Sequence, residues 1–227
     1  MRISSLFSPL LSLCLVSSLS AQTPAKRSIS IEDMYRMQEV AAPQTSPDGK
    51  WVAYTVTSID READKRFTSI WIVSWDGIQD LRMTYGPQSA HAPRWSPDGK
   101  YLSFLAERSG DGKTQVWLLD RRGGDAFALT DVKGEISSYR WSPDGKRLVL
   151  EMSPAEEDEK QGDNSKTSGP QFKAPKPIVV DRSHFKEDVE GYLSAESRAQ
   201  LYLFDVLTKK LEPLTTDRKF DDHDPVW

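Results

Sequence analysis

Among the 227 residues, the side chains able to do chemistry are few and scattered. The three histidines are His91, His184 and His223, and none lies in a pattern that would make it the base for a nucleophile. A nucleophilic serine of the α/β-hydrolase kind needs a Gly-x-Ser-x-Gly turn, whose strained bend projects the hydroxyl. No such pentapeptide occurs. His-Glu-x-x-His, which would set two zinc ligands one helical turn apart, is also absent, as is a phosphate-cradling glycine loop. Asp221-Asp222-His223-Asp224 carries cation-binding residue types without the glycine and alternating spacing of a calcium loop. No metal and no cofactor is expected. His91 and His223 each stand two residues before a proline in matching local sequences. A repeated residue at a repeated place serves the repeat, so a structural hydrogen bond at the edge of the repeated unit, or a position near the centre of the assembled units, is expected for both.

The charge balance narrows the partners. Thirty basic and thirty-four acidic side chains give a net charge of −4, which excludes nucleic acid as the default ligand because phosphate affinity needs a clustered positive surface. One cysteine, Cys14, excludes a disulfide framework and a thiolate zinc site. That cysteine falls in residues 1–21, which read as a signal peptide. Arg2 supplies the positive start, Leu6 to Leu19 a short apolar core, and Ser18, Ser20 and Ala21 a small-residue cleavage site before Gln22. A lipoprotein would want a small residue before the cysteine, where Leu13 stands. The protein is therefore expected to be exported, periplasmic or secreted, with no membrane contact once the signal is removed.

The elements that position these side chains come from an internal repeat. Ser46-Pro47-Asp48-Gly49-Lys50 returns as Ser96-Pro97-Asp98-Gly99-Lys100 and as Ser142-Pro143-Asp144-Gly145-Lys146. The residues suit a type I turn, with serine at the first position, proline pre-set at the second and glycine at the fourth. Trp95 and Trp141 precede two copies, and Thr45 the first. Each turn opens a strand, over 51–57, 101–106 and 147–152, and a further strand follows, over 70–75, 115–120 and 200–206. A last strand ends at Met83-Thr84, Leu129-Thr130 and Leu214-Thr215, and a short proline-bearing strand such as His91-Ala92-Pro93-Arg94-Trp95 precedes the turn. Four short antiparallel strands make one blade of a β-propeller.

The spacing agrees. Pro47 to Pro97 is 50 residues and Pro97 to Pro143 is 46, against about 40–45 for a four-stranded blade. Trp141 to Trp227 is 86, which implies an insertion of roughly 40 residues in the third unit. The expected organisation is a signal peptide at 1–21, an N-terminal helix and first blade strand at 22–45, and an incomplete propeller at 46–227 with an inserted charged segment at about 153–197. The helix is expected over Ile31 to Val40, capped by Ser30 and Asp33, with Ile31, Met34 and Met37 on one apolar face packed as a lid on the propeller rim. The fold class is all-β: three blades plus the first strand of a fourth, because His223-Asp224-Pro225-Val226-Trp227 matches the strand before the second turn. The chain is therefore expected to be a fragment of a longer protein.

Trp-Ser-Pro-Asp-Gly-Lys blades after a signal peptide resemble the propeller of the prolyl oligopeptidase family of serine peptidases. The stretch Asp181-Arg182-Ser183-His184-Phe185-Lys186-Glu187-Asp188-Val189-Glu190-Gly191-Tyr192-Leu193 is similar to an Asp-Arg, aromatic-Lys, Asp, Gly-Tyr segment of its acylaminoacyl-peptidase and dipeptidyl-peptidase branch, with Val189 where that pattern has glycine. The resemblance implies a propeller that gates access of short peptides to a C-terminal α/β-hydrolase domain carrying serine, aspartate and histidine. None of those catalytic residues maps onto this sequence, so the chain itself is expected to be inactive. Arg182, Lys186 and Glu190 are the candidates for holding a peptide terminus. Pro47, Asp48, Gly49, Pro97, Asp98, Gly99, Pro143, Asp144 and Gly145 are structural turn residues. The alternative is a non-catalytic periplasmic propeller resembling the Tol-system protein, acting as an interaction scaffold. That family sets a separate domain before its propeller, where only about two dozen residues stand here.

The reading frame beyond Trp227 is expected to continue as Ser-Pro-Asp-Gly and to reach Gly-x-Ser-x-Gly several hundred residues on. Sequencing the gene checks both: an immediate stop codon overturns the first expectation, and a frame without the elbow overturns the second.

Overall fold

The computed structural model describes residues 27–108, 110, 112–153, 186–187, 191–192, 198–217 and 220–227. Residues 1–21, read from sequence as a signal peptide, Cys14 within them, His184 and most of the expected insertion lie outside the described residues.

A single helical turn, α1 (Ile31–Met34), is followed by strands β1 (Glu39–Thr45), β2 (Trp51–Asp60), β3 (Lys65–Ser74), β4 (Asp80–Arg82), β5 (Ala90–Trp95), β6 (Tyr101–Ala106), β7 (Gln115–Asp120), β8 (Phe127–Ala128), β9 (Glu135–Trp141), β10 (Arg147–Ser153), β11 (Lys186–Glu187), β12 (Gly191–Tyr192), β13 (Gln200–Asp205) and β14 (Leu211–Pro213). They form three four-stranded antiparallel sheets, β1-β2-β3-β4, β5-β6-β7-β8 and β9-β10-β13-β14, with β11-β12 a separate two-residue ladder. These are the three blades the repeat implies.

The turn motif closes on itself. In the first copy the Ser46 hydroxyl donates to Asp48 Oδ1 at 2.6 Å, Lys50 N donates to the same oxygen at 3.1 Å, and Trp51 N donates to Ser46 Oγ at 3.0 Å. The other copies repeat the set through Ser96 and Asp98 and through Ser142 and Asp144. Each aspartate is held below the ordinary carboxylate range, first by the serine hydroxyl. Glycine is required at the fourth place because φ there is +67° to +70°. The turns also stack: a Cβ on Gly99 would lie 3.6 Å from Pro47, and one on Gly145 3.6 Å from Pro97. Ser74-Trp75-Asp76-Gly77 builds the same turn with tryptophan in place of proline.

The core lies between blades. Residues Leu102, Phe104 and Ala106 of β6 pack with Ala53, Ile70 and Ile72 of the first blade. Leu105 of the same strand points the other way, into a cluster with Ile136, Tyr139, Leu148, Leu150 and Phe204 of the third. Strand periodicity is two, so a strand buried on both faces must be apolar at both parities, as Leu102 to Ala106 is apart from Ser103. The chain's last described residues, 223–227, dock beside the third blade as the repeat implies for a fourth inner strand.

Three expectations change. The helix is one turn, not ten residues, because Glu39 and Val40 pair with Thr57 and Val56 at the head of β1. Its cap is present, with Ser30 N donating to the Asp33 carboxylate at 2.9 Å. The apolar face is not packed as a lid: Ile31, Met34 and Met37 are 72%, 58% and 68% exposed. The outer strands stop short of the threonines that were expected to end them. Each threonine hydroxyl instead takes over from the ladder, accepting from Ile70 N (Thr84), Val116 N (Thr130) and Leu201 N (Thr215) at 2.9–3.0 Å.

Replacing Gly99 by alanine is expected to destabilise the chain by about 1–2 kcal/mol, because the left-handed conformation penalises a Cβ. Gly99→Asn should cost less, since asparagine tolerates that region. Denaturant melts of the two variants check the order, and equal losses would contradict the backbone explanation.

Candidate functional site

Because strands alternate in direction, the three Ser-Pro-Asp-Gly turns share one end of the blades. The other end receives the starts of β5 and β9 and the end of β10, where Ser153 pairs with Glu135. Two groups of polar side chains have chemistry to offer, one around Glu151 toward that second end and one in the seam between blades two and three.

Glu151 is the centre of one group. It is a carboxylate in the apolar run Leu148 to Met152, and only 7% exposed. Its Oε1 accepts from Ser137 Oγ at 3.1 Å and from His223 Nδ1 at 2.8 Å, and Oε2 accepts from Asp224 N at 3.4 Å. The bond to Glu151 raises the His223 pKa above its ordinary value, with Asp221 and Asp224 adding to it. Serine, carboxylate and histidine are the composition of a catalytic triad but not its order. A triad serine gives its proton to histidine, whereas Ser137 and His223 both donate to the same carboxylate oxygen. The arrangement fastens the fourth inner strand to the third blade and supplies no activated nucleophile.

A second group links blades two and three. Ser103, fully buried, donates to Arg94 O at 2.9 Å and accepts from Trp141 Nε1 at 2.8 Å. The Tyr139 hydroxyl lies 2.9 Å from Ser103 Oγ and 3.0 Å from the Ala92 carbonyl. Burial pushes the Tyr139 phenol up, so it is a proton donor at any ordinary pH. The Ala92 carbonyl is available because Ala92 precedes Pro93 at φ +50°, where the ladder with β6 slips. Ala42 and Asp224 take the same φ before Pro43 and Pro225.

The sequence-derived candidates fall into two sets. The turn residues Pro47, Asp48, Gly49, Pro97, Asp98, Gly99, Pro143, Asp144 and Gly145 lie at the opposite end from Glu151, where Asp48 also accepts Arg121 Nη1 at 2.9 Å. Arg182 and Glu190 lie outside the described residues, and Lys186 opens β11 opposite Tyr192. His223 makes the structural hydrogen bond expected of it. Asp221 turns away, accepting from Arg198 Nη1 and Ala199 N, both at 2.9 Å. Glu151 was not singled out from sequence, although a charge in an otherwise apolar central strand, at the repeat position of Thr55 and Leu105, is a readable signal.

The blades and their inter-blade seams define an antiparallel β-propeller segment. No family model matches the chain. It is 33% identical over 202 residues to the uncharacterized peptidase YuxL of Bacillus subtilis (strain 168), a match that takes in 89% of this chain and 30% of that protein. The chain thus spans about a third of the curated relative it matches. An acylaminoacyl peptidase of Pyrococcus horikoshii superposes with a TM-score of 0.56 at 23% identity, over 78% of this chain and 25% of that one. The AtxE2 isopeptidase superposes at 0.57 and 18% identity, over 82% and 32%. The structures speak to the fold. The 33% identical relative is itself named a peptidase.

The His223–Glu151 contact should be fully formed below about pH 6.5, the ordinary histidine value, and weaken as pH rises through the raised one. A proton NMR titration is expected to place His223 above that value in the native chain and nearer to it in Glu151→Gln. An unchanged titration in the variant would show that the carboxylate does not hold the ring.

Proposed function

We propose that this chain is the substrate-gating propeller of an exported serine peptidase that hydrolyses short peptides. The observation that carries the reading is the 202-residue match at 33% identity to a protein named a peptidase, of which the match takes in only 30%. Chemistry in such an enzyme belongs to a hydrolase domain elsewhere in the polypeptide. There a serine would attack the peptide carbonyl, a histidine would take its proton and return it to the leaving amine, and backbone N–H groups would hold the oxyanion. Water would then release the acyl group from the serine ester.

The propeller's part is exclusion. Blades seamed by buried side chains form a stiff wall, and a peptide must pass that wall or its rim before reaching the serine. Arg182, Lys186 and Glu190, on the inserted segment, are placed by this reading at the peptide terminus. The signal-peptide pattern of residues 1–21 supports export.

The test uses aminoacyl and dipeptidyl chromogenic substrates with the full-length polypeptide and with residues 22–227. Turnover by the full-length protein, abolished by a fluorophosphonate, is the expected result, with none from the shorter chain. Fluorophosphonate-sensitive turnover by residues 22–227 would overturn the division of labour. A full-length protein that neither turns over nor takes the label would be a scaffold propeller.

A further inference from the structure

Five arginines among the described residues find an acid. Arg27 pairs with Asp33, Arg66 with Glu39, Arg121 with Asp48, Arg122 with Asp120 and Arg198 with Asp221. Arg94 and Arg140, like Arg36, Arg61, Arg82, Arg108 and Arg147, form no ion pair with a carboxylate among the described residues. They are repeat equivalents, each immediately before the inner-strand tryptophan, one blade apart. Both are half-buried.

Their placement is fixed from below. The Arg94 guanidinium carbon stands 5.8 Å from the centroid of the Tyr139 ring, and that ring is immobilised by its hydroxyl bonds to Ala92 and Ser103. Arg94 Nε is buried with no hydrogen-bond partner. Arg140 Nε is spent on the Pro225 carbonyl at 3.2 Å, which anchors its stem and leaves the two terminal nitrogens of the fork. Burial lowers the Arg94 pKa, and the like charge of Arg140 lowers it further, so the two cations feel each other. Two half-buried guanidinium groups without a counter-charge are costly, since desolvation is uncompensated and like charges repel. An anion between them would remove both penalties. The planar fork of arginine matches the two oxygens of a carboxylate.

We infer that Arg94 and Arg140 form a carboxylate site on the inner strands of blades two and three, which receives the free C-terminus of a short peptide. The inference rests on the peptide-hydrolase reading for its ligand but not for its geometry. The site would hold the end of the substrate that does not react, and so favour peptides over longer chains or blocked ends.

Equilibrium binding decides the site, and turnover decides the enzyme. Calorimetry on the full-length protein, pretreated with fluorophosphonate, uses trialanine, trialanine amide and inorganic phosphate as probes. Trialanine is expected to bind about tenfold or more tightly than its amide, the worth of a charge-assisted hydrogen bond. Arg94→Gln and Arg140→Gln should each abolish that preference, and Arg94→Lys should keep part of it. Thermal melts show which variants remain folded, and Arg140→Gln carries the test if Arg94→Gln does not. Equal binding of acid and amide overturns the proposal, as does binding of phosphate alone. A protein that shows the acid preference yet never labels or turns over would keep the site and lose the peptidase reading.

Discussion

A four-stranded blade has two apolar faces and can cover neither alone, so everything here depends on the seam between neighbouring blades. The seam is clearest at Ser103. One buried hydroxyl receives the Trp141 indole of the next blade, meets the Tyr139 phenol, and returns its own proton to the backbone at Arg94. Around it, Leu105, Val116 and Leu118 meet Ile136, Leu148 and Leu150. Apolar area supplies the energy of such a joint, but it is indifferent to small slips. The hydrogen bonds at Ser103 fix the register, because leaving any of these groups unpaired in the core costs about 1–3 kcal/mol.

The same device recurs with different atoms. Trp95 donates its indole N–H to Gln44 O at 3.0 Å, and Trp227 reaches Arg140 O at 3.4 Å. In each case the tryptophan before a turn reaches back to the residue before its counterpart, directly or through Ser103. Thr45 takes the tryptophan's place in the first blade. The tryptophan is therefore a register pin as much as a core residue. Trp95, packed between the first two blades, is 8% exposed.

How much of this was legible in the sequence follows from the range of each interaction. The Ser-Pro-Asp-Gly turn satisfies its polar groups within six residues, so its chemistry can be read locally and its three copies count the blades. Strand positions follow from the same punctuation. The short helix was overestimated because Met37 and Val40 continue a helical spacing, while the partner that draws Val40 into a strand is Val56, across the turn. Glu151 and His223 lie 72 residues apart, and the bond between them exists only because one blade docks on the next. No local pattern announces such a bond, although the repeat alignment does, by showing a carboxylate where its equivalents are Thr55 and Leu105.

That observation gives a rule for where function should be sought in this molecule. Positions identical in every blade serve the blade, as the turn serines and aspartates do. Chemistry can concentrate only where the copies differ, because a closed ring of equal units offers the same surface in every direction. Tyr139 stands where the other inner strands have proline, and its ring makes a platform that Pro43, Pro93 and Pro225 cannot. Arg94 and Arg140 stand where the first and fourth strands have Gln44 and Val226. Glu151 replaces a threonine and a leucine. Tyr139, Arg94 and Arg140 fall on inner strands and Glu151 on the strand beside one, and together they give a repetitive wall charge and direction.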